Sequence, residues 1–171
     1  MSGKQDYETP PELFAACEKR FGRHAIDLAA TAENSQCPVH LGPGAMLGMT
    51  DALAVDWALA FELADDGTRG WLNPPFANME PWIAKCIEAA RGGLTITLAC
   101  LPSLETAWAR DAIKWADVYH LWPRVPFVDT NSGKRSGNPR NTMILDFNGS
   151  DRRRSPCLLN WQTNKTTEFA P

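Results

Sequence analysis

The sequence predicts an α/β protein whose sheet is mainly parallel, with an antiparallel hairpin at one edge. Three observations carry this prediction. Apolar runs of strand length alternate with segments whose apolar residues recur at helical spacing. No second domain or internal repeat is visible, so we expect one domain over residues 1–150 and a polar C-terminal tail over residues 151–171. Several predicted strands also end at polar or proline-containing segments, where parallel sheets bind ligands.

The first predicted element is a helix that begins near Pro10 and Pro11. Thr9 is the expected N-cap, and Glu12 lies three residues later, as in a capping box. Apolar residues then follow at helical spacing until Gly22 ends the pattern.

The next segments carry the first strands. Residues 25–29 are predicted to form a short buried strand that delivers Asp27, and residues 70–73 a buried strand end. Between them, residues 39–50 are a loop-rich insert, and residues 53–63 fit a helix or a strand equally well.

The second half of the chain continues the alternation. We expect helices over residues 81–91 and 104–115, strands over residues 94–101, 118–122 and 142–147, and a polar loop over residues 129–140. The last two of these strands have no helix between them and are predicted to pair antiparallel at one edge.

Composition indicates a compact intracellular domain. The chain has 171 residues, of which 44% are hydrophobic and 22% charged. No apolar run approaches the ~20 residues that cross a bilayer, and the first six residues lack the apolar core of a signal peptide. We therefore expect a cytoplasmic protein without a membrane partner.

Cysteine and histidine usage argues against a metal site. The five cysteines form no CxxC pair, and the three histidines fall into no ligand spacing with them. We expect free thiols and no bound metal. The Pro156-Cys157 pair occurs in cytosine-C5 methyltransferases too, but here it lies in the predicted tail and is interpreted as coincidence.

Charge is unevenly distributed along the chain. The net charge is −3, yet residues 124–154 hold seven cations against three anions. Such a segment is either a solvated loop or a surface that contacts phosphates. The candidate DNA-binding residues within it are Arg124, Lys134, Arg135 and Arg140.

The most informative segment is Asn73-Pro74-Pro75-Phe76, which follows the apolar run at residues 70–72. Two prolines remove two backbone donors and fix the local geometry. The Asn73 side-chain oxygen and the Pro74 carbonyl can each accept one N–H of an exocyclic amine, which turns the nitrogen lone pair towards an electrophile. Phe76 can stack on the ring that carries the amine. A loop without catalytic function is the alternative, since Asn-Pro-Pro is also a common turn sequence.

The order and spacing of several motifs resemble the small phage-type DNA N6-adenine methyltransferases over about the first 150 residues. The motifs are Thr9-Pro10-Pro11-Glu12-Leu13-Phe14, Phe21-Gly22, Ile26-Asp27-Leu28-Ala29-Ala30, Ala32-Glu33-Asn34, Asp56-Trp57, Trp71-Leu72-Asn73-Pro74-Pro75-Phe76, Trp82-Ile83-Ala84-Lys85, Leu101-Pro102, Thr106-Ala107-Trp108 and Arg124-Val125-Pro126-Phe127.

The resemblance implies a Rossmann-like methyltransferase fold, S-adenosylmethionine as methyl donor, and an adenine flipped out of double-stranded DNA as acceptor. It also implies a phage or prophage enzyme that acts in a bacterial host cell and protects DNA from restriction. The catalytic residues would be Asn73, Pro74, Pro75 and Phe76, and the donor would be bound by Thr9, Pro10, Asp27, Ala29, Asn34 and Asp56.

Two features keep other functions open. The turn after the first strand, Asp27 to Ala32, contains no glycine, although most methyltransferases have a glycine-rich turn there. The same acceptor chemistry also suits an RNA adenine or a protein glutamine, and a catalytically inactive nucleic-acid-binding relative is a third class. The recognised DNA sequence and the oligomeric state leave no trace in the chain.

Overall fold

The computed structural model describes residues 7–64, 67–129, 135, 141–150 and 154–169. Their helices are α1 (Pro11–Phe21), α2 (Trp57–Leu63), α3 (Glu80–Arg91) and α4 (Ala107–Ala112), with a short 3-10 helix at Met46–Gly48. Their strands are β1 (Tyr7–Glu8), β2 (Ile26–Asp27), β3 (Val39–His40), β4 (Arg69–Leu72), β5 (Thr95–Cys100), β6 (Asp117–Trp122), β7 (Val128–Asp129), β8 (Met143–Phe147), β9 (Cys157–Asn160) and β10 (Lys165–Glu168).

Eight strands form one sheet in the order β10-β9-β6-β8-β5-β4-β2-β3. The pairs β2–β3, β2–β4, β4–β5 and β6–β9 are parallel, whereas β8 is antiparallel to both neighbours and β9–β10 is an antiparallel pair. The predicted mainly parallel α/β fold is therefore confirmed. A separate two-stranded sheet pairs β1 with β7.

The antiparallel strands lie elsewhere in the sheet than predicted. β6 and β8 do pair antiparallel, but β8 lies inside the sheet between β5 and β6. The edge hairpin is instead formed by β9 and β10, from the segment expected to be a polar tail. Its alternation of buried and half-buried residues over Cys157–Asn160 is too short a pattern to distinguish from a turn.

Helices cover both faces of the sheet, since successive side chains of a strand point to opposite faces. On one face Leu72, Leu98 and Leu145 pack in the cluster that contains the buried residues of α2 and α3. On the other face Trp71, Ala99 and Ile144 pack with Leu13 and Cys17 of α1. The central strands are thus buried on both sides, as is usual for parallel sheets.

Two of the predicted helices begin elsewhere than expected. α1 has Pro10 as its N-cap and no side-chain cap, so the expected N-cap role of Thr9 is wrong. α4 begins at Ala107, with the Thr106 hydroxyl accepting from the Ala109 N–H. The ambiguous segment resolves into α2, which is capped by Asp56.

Among the residues that the structure describes, no helix is long and apolar enough to cross a membrane, and no three His, Cys, Asp or Glu side chains are grouped as a metal site would require. All five cysteines are free and buried.

A buried ion pair ties the strands together at the end of the sheet where β4 begins. Arg69 on β4 donates to Asp146 on β8 and to the Thr97 hydroxyl on β5, with the two charged side chains 15% and 5% exposed. A charge in such a position is stabilised only while its partner is present.

Asp146→Asn should therefore lower the free energy of unfolding by about 3 kcal/mol, because it leaves the Arg69 guanidinium without its carboxylate. Urea denaturation measures the change. The matched control is Asp111→Asn, which breaks the exposed pair with Lys114 and should leave the unfolding midpoint almost unchanged. Equal losses for the two variants would show that the Arg69–Asp146 pair has no special structural role.

Candidate active site

The site lies where the connections of the sheet change direction. From β2 the chain continues to β3 on one side, whereas from β4 it continues to β5 on the other. In open α/β sheets a crevice forms outside the carboxyl ends of the strands at such a point. Asp27 ends β2 opposite Trp71 of β4, and Asn73 follows β4 directly. The topology therefore brings Asp27 and Asn73 to one rim.

Asn73 is held by a residue far away in the sequence. Its Nδ2 donates to the Thr9 hydroxyl at 3.1 Å, across 64 positions of the chain. Thr9 is only 6% exposed, and the pairing of β1 with β7 fixes the chain just before it. Because Pro10 takes the N-cap position, the Thr9 hydroxyl is available to Asn73 instead of the helix.

The remainder of the Asn-Pro-Pro-Phe segment is split between core and surface. Pro74 is buried and Pro75 exposed, while Phe76 is half-buried and packs against the core cluster on the α3 face. The segment then leads into α3, which begins at Glu80. Its position is therefore set on both sides, by β4 before it and by α3 after it.

Asp27 is a buried carboxylate. It is 3% exposed and accepts from the backbone N–H groups of Ala29 at 3.3 Å and Gln36 at 3.1 Å. Burial raises the pKa of Asp27 to about 6, although these two N–H groups and nearby His40 act in the opposite direction. The charged form of such a buried carboxylate is stabilised by a cationic ligand.

The glycine-free turn after β2 is held by its own hydrogen bonds. The Thr31 N–H donates to Asn34 Oδ1 at 2.8 Å, and the Asn34 N–H donates back to the Thr31 carbonyl at 3.3 Å. Gln36 Nε2 lies within 3.4 Å of the Thr9 carbonyl oxygen, which joins this turn to the Thr9 segment.

The loop after β3 packs closely against this turn. Gly42, after β3, has φ +131°, and a Cβ there would lie 2.2 Å from the Ala30 carbonyl oxygen. The Ala30 N–H donates to the Leu41 carbonyl, so the two loops are in direct contact. Only glycine fits at position 42, because of both its positive φ and this close approach.

A cavity of about 310 Å³ opens between these loops. This volume lies at the lower end of the range of small-molecule sites, about 300–1,000 Å³. Its lining residues include Ala29, Asn34, Gly42, Asp51, Pro75 and Trp82. The cavity therefore adjoins both the first-strand turn and the Asn-Pro-Pro-Phe segment.

Sequence reasoning missed three residues of this region. Gly42 lay in the predicted loop-rich insert over residues 39–50, Asp51 in no predicted element, and Trp82 in the predicted helix over residues 81–91 without a role. Asp51 accepts from the Leu53 and Ala54 N–H groups, so its position is fixed. Gly42 was the one signal visible in the sequence, since a glycine in a loop often marks a close approach of the backbone.

Asp56 lies elsewhere. It caps α2 by accepting from the Ala58 N–H at 2.9 Å, and it lines a groove between α2 and α3 together with Lys85 and Glu88. The cavity at the carboxyl ends of β2 and β4 does not include it. Its predicted donor role remains a prediction, and capping already explains its presence.

The candidate DNA-binding cations are only partly described. Arg124 and Arg135 line one groove beside α1, and Arg135 pairs with Glu12 at 2.8 Å. Lys134 and Arg140 lie outside the described residues. Cys157 faces the core from β9, where burial raises the pKa of its thiol, so it is a poor nucleophile.

Comparison with known proteins identifies the family. The family model "DNA N-6-adenine-methyltransferase (Dam)" matches residues 2–164, and the chain belongs to this family.

Two curated phage proteins are similar to the chain. One is the DNA N-6-adenine-methyltransferase of Escherichia phage T1, 25% identical over 156 residues that cover 81% of this chain and 60% of that protein. The other, from Haemophilus phage HP1, bears the same name and is 22% identical over 84% of this chain and 78% of that protein. The chain thus spans about three fifths of the length of the T1 relative.

Gly42→Ala should destabilise the protein more than Gly48→Ala. Both positions have positive φ, so both variants incur a backbone cost of about 1–2 kcal/mol, but only the Cβ at residue 42 meets backbone atoms; at residue 48 it meets nothing within 4 Å. Thermal unfolding of the two variants measures the difference. Equal shifts of Tm would mean that the loops separate readily and that their close contact does not shape the cavity.

Proposed function

We propose that the protein methylates N6 of adenine in double-stranded DNA, with S-adenosylmethionine as donor. The observation that supports this most is the hydrogen bond from Asn73 to Thr9. It joins the acceptor-binding segment to the segment that family resemblance assigns to the donor. Membership of the DNA N-6-adenine-methyltransferase family supports the same acceptor.

The rim residues suit the donor. When bound, S-adenosylmethionine supplies a methyl group on a sulfonium cation. Asp27 would interact with the donor's positive charge. The buried carboxylate suits this role, because its two hydrogen-bond partners are backbone N–H groups and it forms no ion pair within the described part of the chain. Asn34, Ala29 and Trp82 line the neighbouring cavity and would enclose the nucleoside part.

Asn73 would act on the acceptor. Its Nδ2 is engaged with Thr9, which orients the side-chain oxygen for the amine. That oxygen and the Pro74 carbonyl would accept the two N–H groups of N6, so that the nitrogen lone pair points at the methyl carbon. The methyl group would pass to N6 while the C–S electron pair stays on the donor's sulfur, and the proton lost from N6 would go to water. Phe76 would stack on the base.

An adenine that is stacked and paired inside a duplex cannot place its N6 amine against Asn73. The target adenine would therefore be flipped out of the helix, at a cost of a few kcal/mol that stacking and hydrogen bonds offset. We propose a phage or prophage origin, since both relatives are phage proteins, and a biological role in the host cytoplasm, where the enzyme would protect DNA from restriction.

Asn73→Ala should abolish transfer of a labelled methyl group to DNA. Loss of one partner that acts in the transition state typically costs on the order of a hundredfold in rate. Thr9→Val keeps the Asn73 amide and removes only the hydroxyl that orients it, so it should slow transfer less than Asn73→Ala does. If Asn73→Ala retained more than about a tenth of the wild-type rate, Asn73 would not be an acceptor for the amine. If Thr9→Val were as inactive as Asn73→Ala, the two residues would act only through their mutual hydrogen bond.

Donor affinity should fall as the pH drops through 6. The pKa of Asp27 is about 6 without donor, and a cation favours the carboxylate over the acid, so protonation below pH 6 competes with donor binding. Above pH 6 the carboxylate is already ionised, and this contribution becomes constant. Calorimetric titration from about pH 5 to 8 measures the profile.

The matched variant is Asp27→Asn. It should bind the donor more weakly at pH 8 and show no step near pH 6. A wild-type profile that is flat across this range would place Asp27 among the residues that only support the turn.

A further inference from the structure

A second groove, of about 630 Å³, lies on the outer side of α1. Glu12, Ala15, Ala16 and Lys19 form one wall, since residues at this spacing share one face of a helix. Arg124, Arg135, Gln162 and Asn164 are among the residues that line the rest. The side chains of the two alanines are small, so the polar side chains around them border an open channel.

This groove lies at the same end of the sheet as Asn73. β6 runs in the direction of β4, because both β5 and β6 are antiparallel to β8 and β5 is parallel to β4. Arg124 therefore follows a carboxyl end, and so does the turn between β9 and β10, since β9 is parallel to β6. Trp161 fastens that turn to the Arg124 segment through its Nε1, which donates to the Pro123 carbonyl at 2.7 Å.

The groove is also connected to Thr9 through the backbone. β7 follows the Arg124 segment and pairs with β1, Glu8 opposite Val128, immediately before Thr9. Glu12 lies in the first turn of α1, three residues after Thr9. A polymer that places one unit at Asn73 would thus have its neighbouring units along this groove.

The charges of the groove fit a polyanion. Lys19 and Arg124 are exposed, and within the described residues neither forms an ion pair. Gln162 and Asn164 add amide donors, and amides, ammonium and guanidinium groups all bind phosphate oxygens in DNA complexes.

A second cation-rich cavity, at the opposite end of the sheet, is a poorer candidate for binding phosphates. Arg20, Arg69 and Arg154 meet there, but Arg69 pairs with Asp146, and Arg154 lies 3.7 Å from Asp117. Its charges are largely compensated by the protein itself, and it lies at the amino ends of the parallel strands, away from Asn73.

We infer that the groove beside α1 holds the phosphate backbone of the DNA next to the target adenine, with Lys19 and Arg124 as phosphate contacts and Glu12 limiting the affinity by neutralising Arg135. The inference rests on the proposed function and adds its DNA-docking surface. The Arg135–Glu12 pair is half-exposed on both sides, so a phosphate can replace the carboxylate at small cost.

The test is the salt dependence of binding to a short fluorescent duplex without donor, followed by anisotropy. Each phosphate contact adds about 0.9 to the slope of log affinity against log salt. Lys19→Gln and Arg124→Gln should each lower the slope by about 0.9. When salt rises fourfold, from about 50 to about 200 mM, the parent should lose more affinity than either variant. The two losses should differ by a factor of about 3.5, which is four raised to the power 0.9.

Glu12→Gln should have the opposite effect. It frees Arg135 for a phosphate, and we expect tighter binding and a slope steeper by about 0.9. The matched control is Lys114→Gln, an exposed lysine after α4 that pairs with Asp111 and lies at the other end of the sheet. It should leave the slope unchanged. Melting temperatures close to that of the parent confirm that all four variants are folded.

The outcomes separate this inference from the proposed function. If Lys19→Gln and Arg124→Gln keep the parent slope while the parent methylates DNA, the groove is not the docking surface and the proposed function stands. If Glu12→Gln binds no more tightly, Glu12 does not limit affinity. A parent protein that binds no duplex would overturn both.

Discussion

The hydrogen bond between Asn73 and Thr9 is the constraint on which the site depends. It joins two loops that are 64 residues apart in the chain, and each loop is set by a different part of the fold. β4 and α3 fix Asn73, whereas the β1–β7 pair fixes Thr9. A movement of either part would change the orientation of the Asn73 side chain. Because Pro10 is the N-cap of α1, the Thr9 hydroxyl accepts from Asn73 instead of capping the helix.

The sequence was sufficient where local pattern decides structure. Apolar spacing located α1, α3 and β5 to within a few residues, because each buries one face or both over several residues. It also placed Asp27 and Asn73 at the carboxyl ends of two strands, although their proximity depends on the pairing of β2 with β4. Pairing partners were not accessible in this way. β9 has four residues and is positioned by pairing with β6, which lies far away in the chain. A strand that depends on such a distant partner shows no periodic pattern in its own sequence.

The turn after β2 contains no glycine, but Gly42 of the following loop lies close to it: a Cβ at residue 42 would come within 2.2 Å of the Ala30 carbonyl oxygen. The sequence shows the glycine, but the contact depends on how the two loops fold against each other. Asp56 and Asp51 show a second limit of this kind. Both are acidic residues of one short segment, yet only Asp51 lines the cavity, while Asp56 caps a helix. Nothing in the residue types separates these roles, because they depend on where α2 begins.

The most direct test is to identify the atom that receives the methyl group. Unmethylated duplex DNA is incubated with the protein and S-adenosylmethionine carrying a deuterated methyl group, then digested to nucleosides and analysed by mass spectrometry. The account predicts the label in N6-methyldeoxyadenosine alone, because the Asn73 and Pro74 acceptors suit an exocyclic amine on a purine held by Phe76. Label on deoxycytidine, or DNA without label while RNA or protein is labelled, would contradict it.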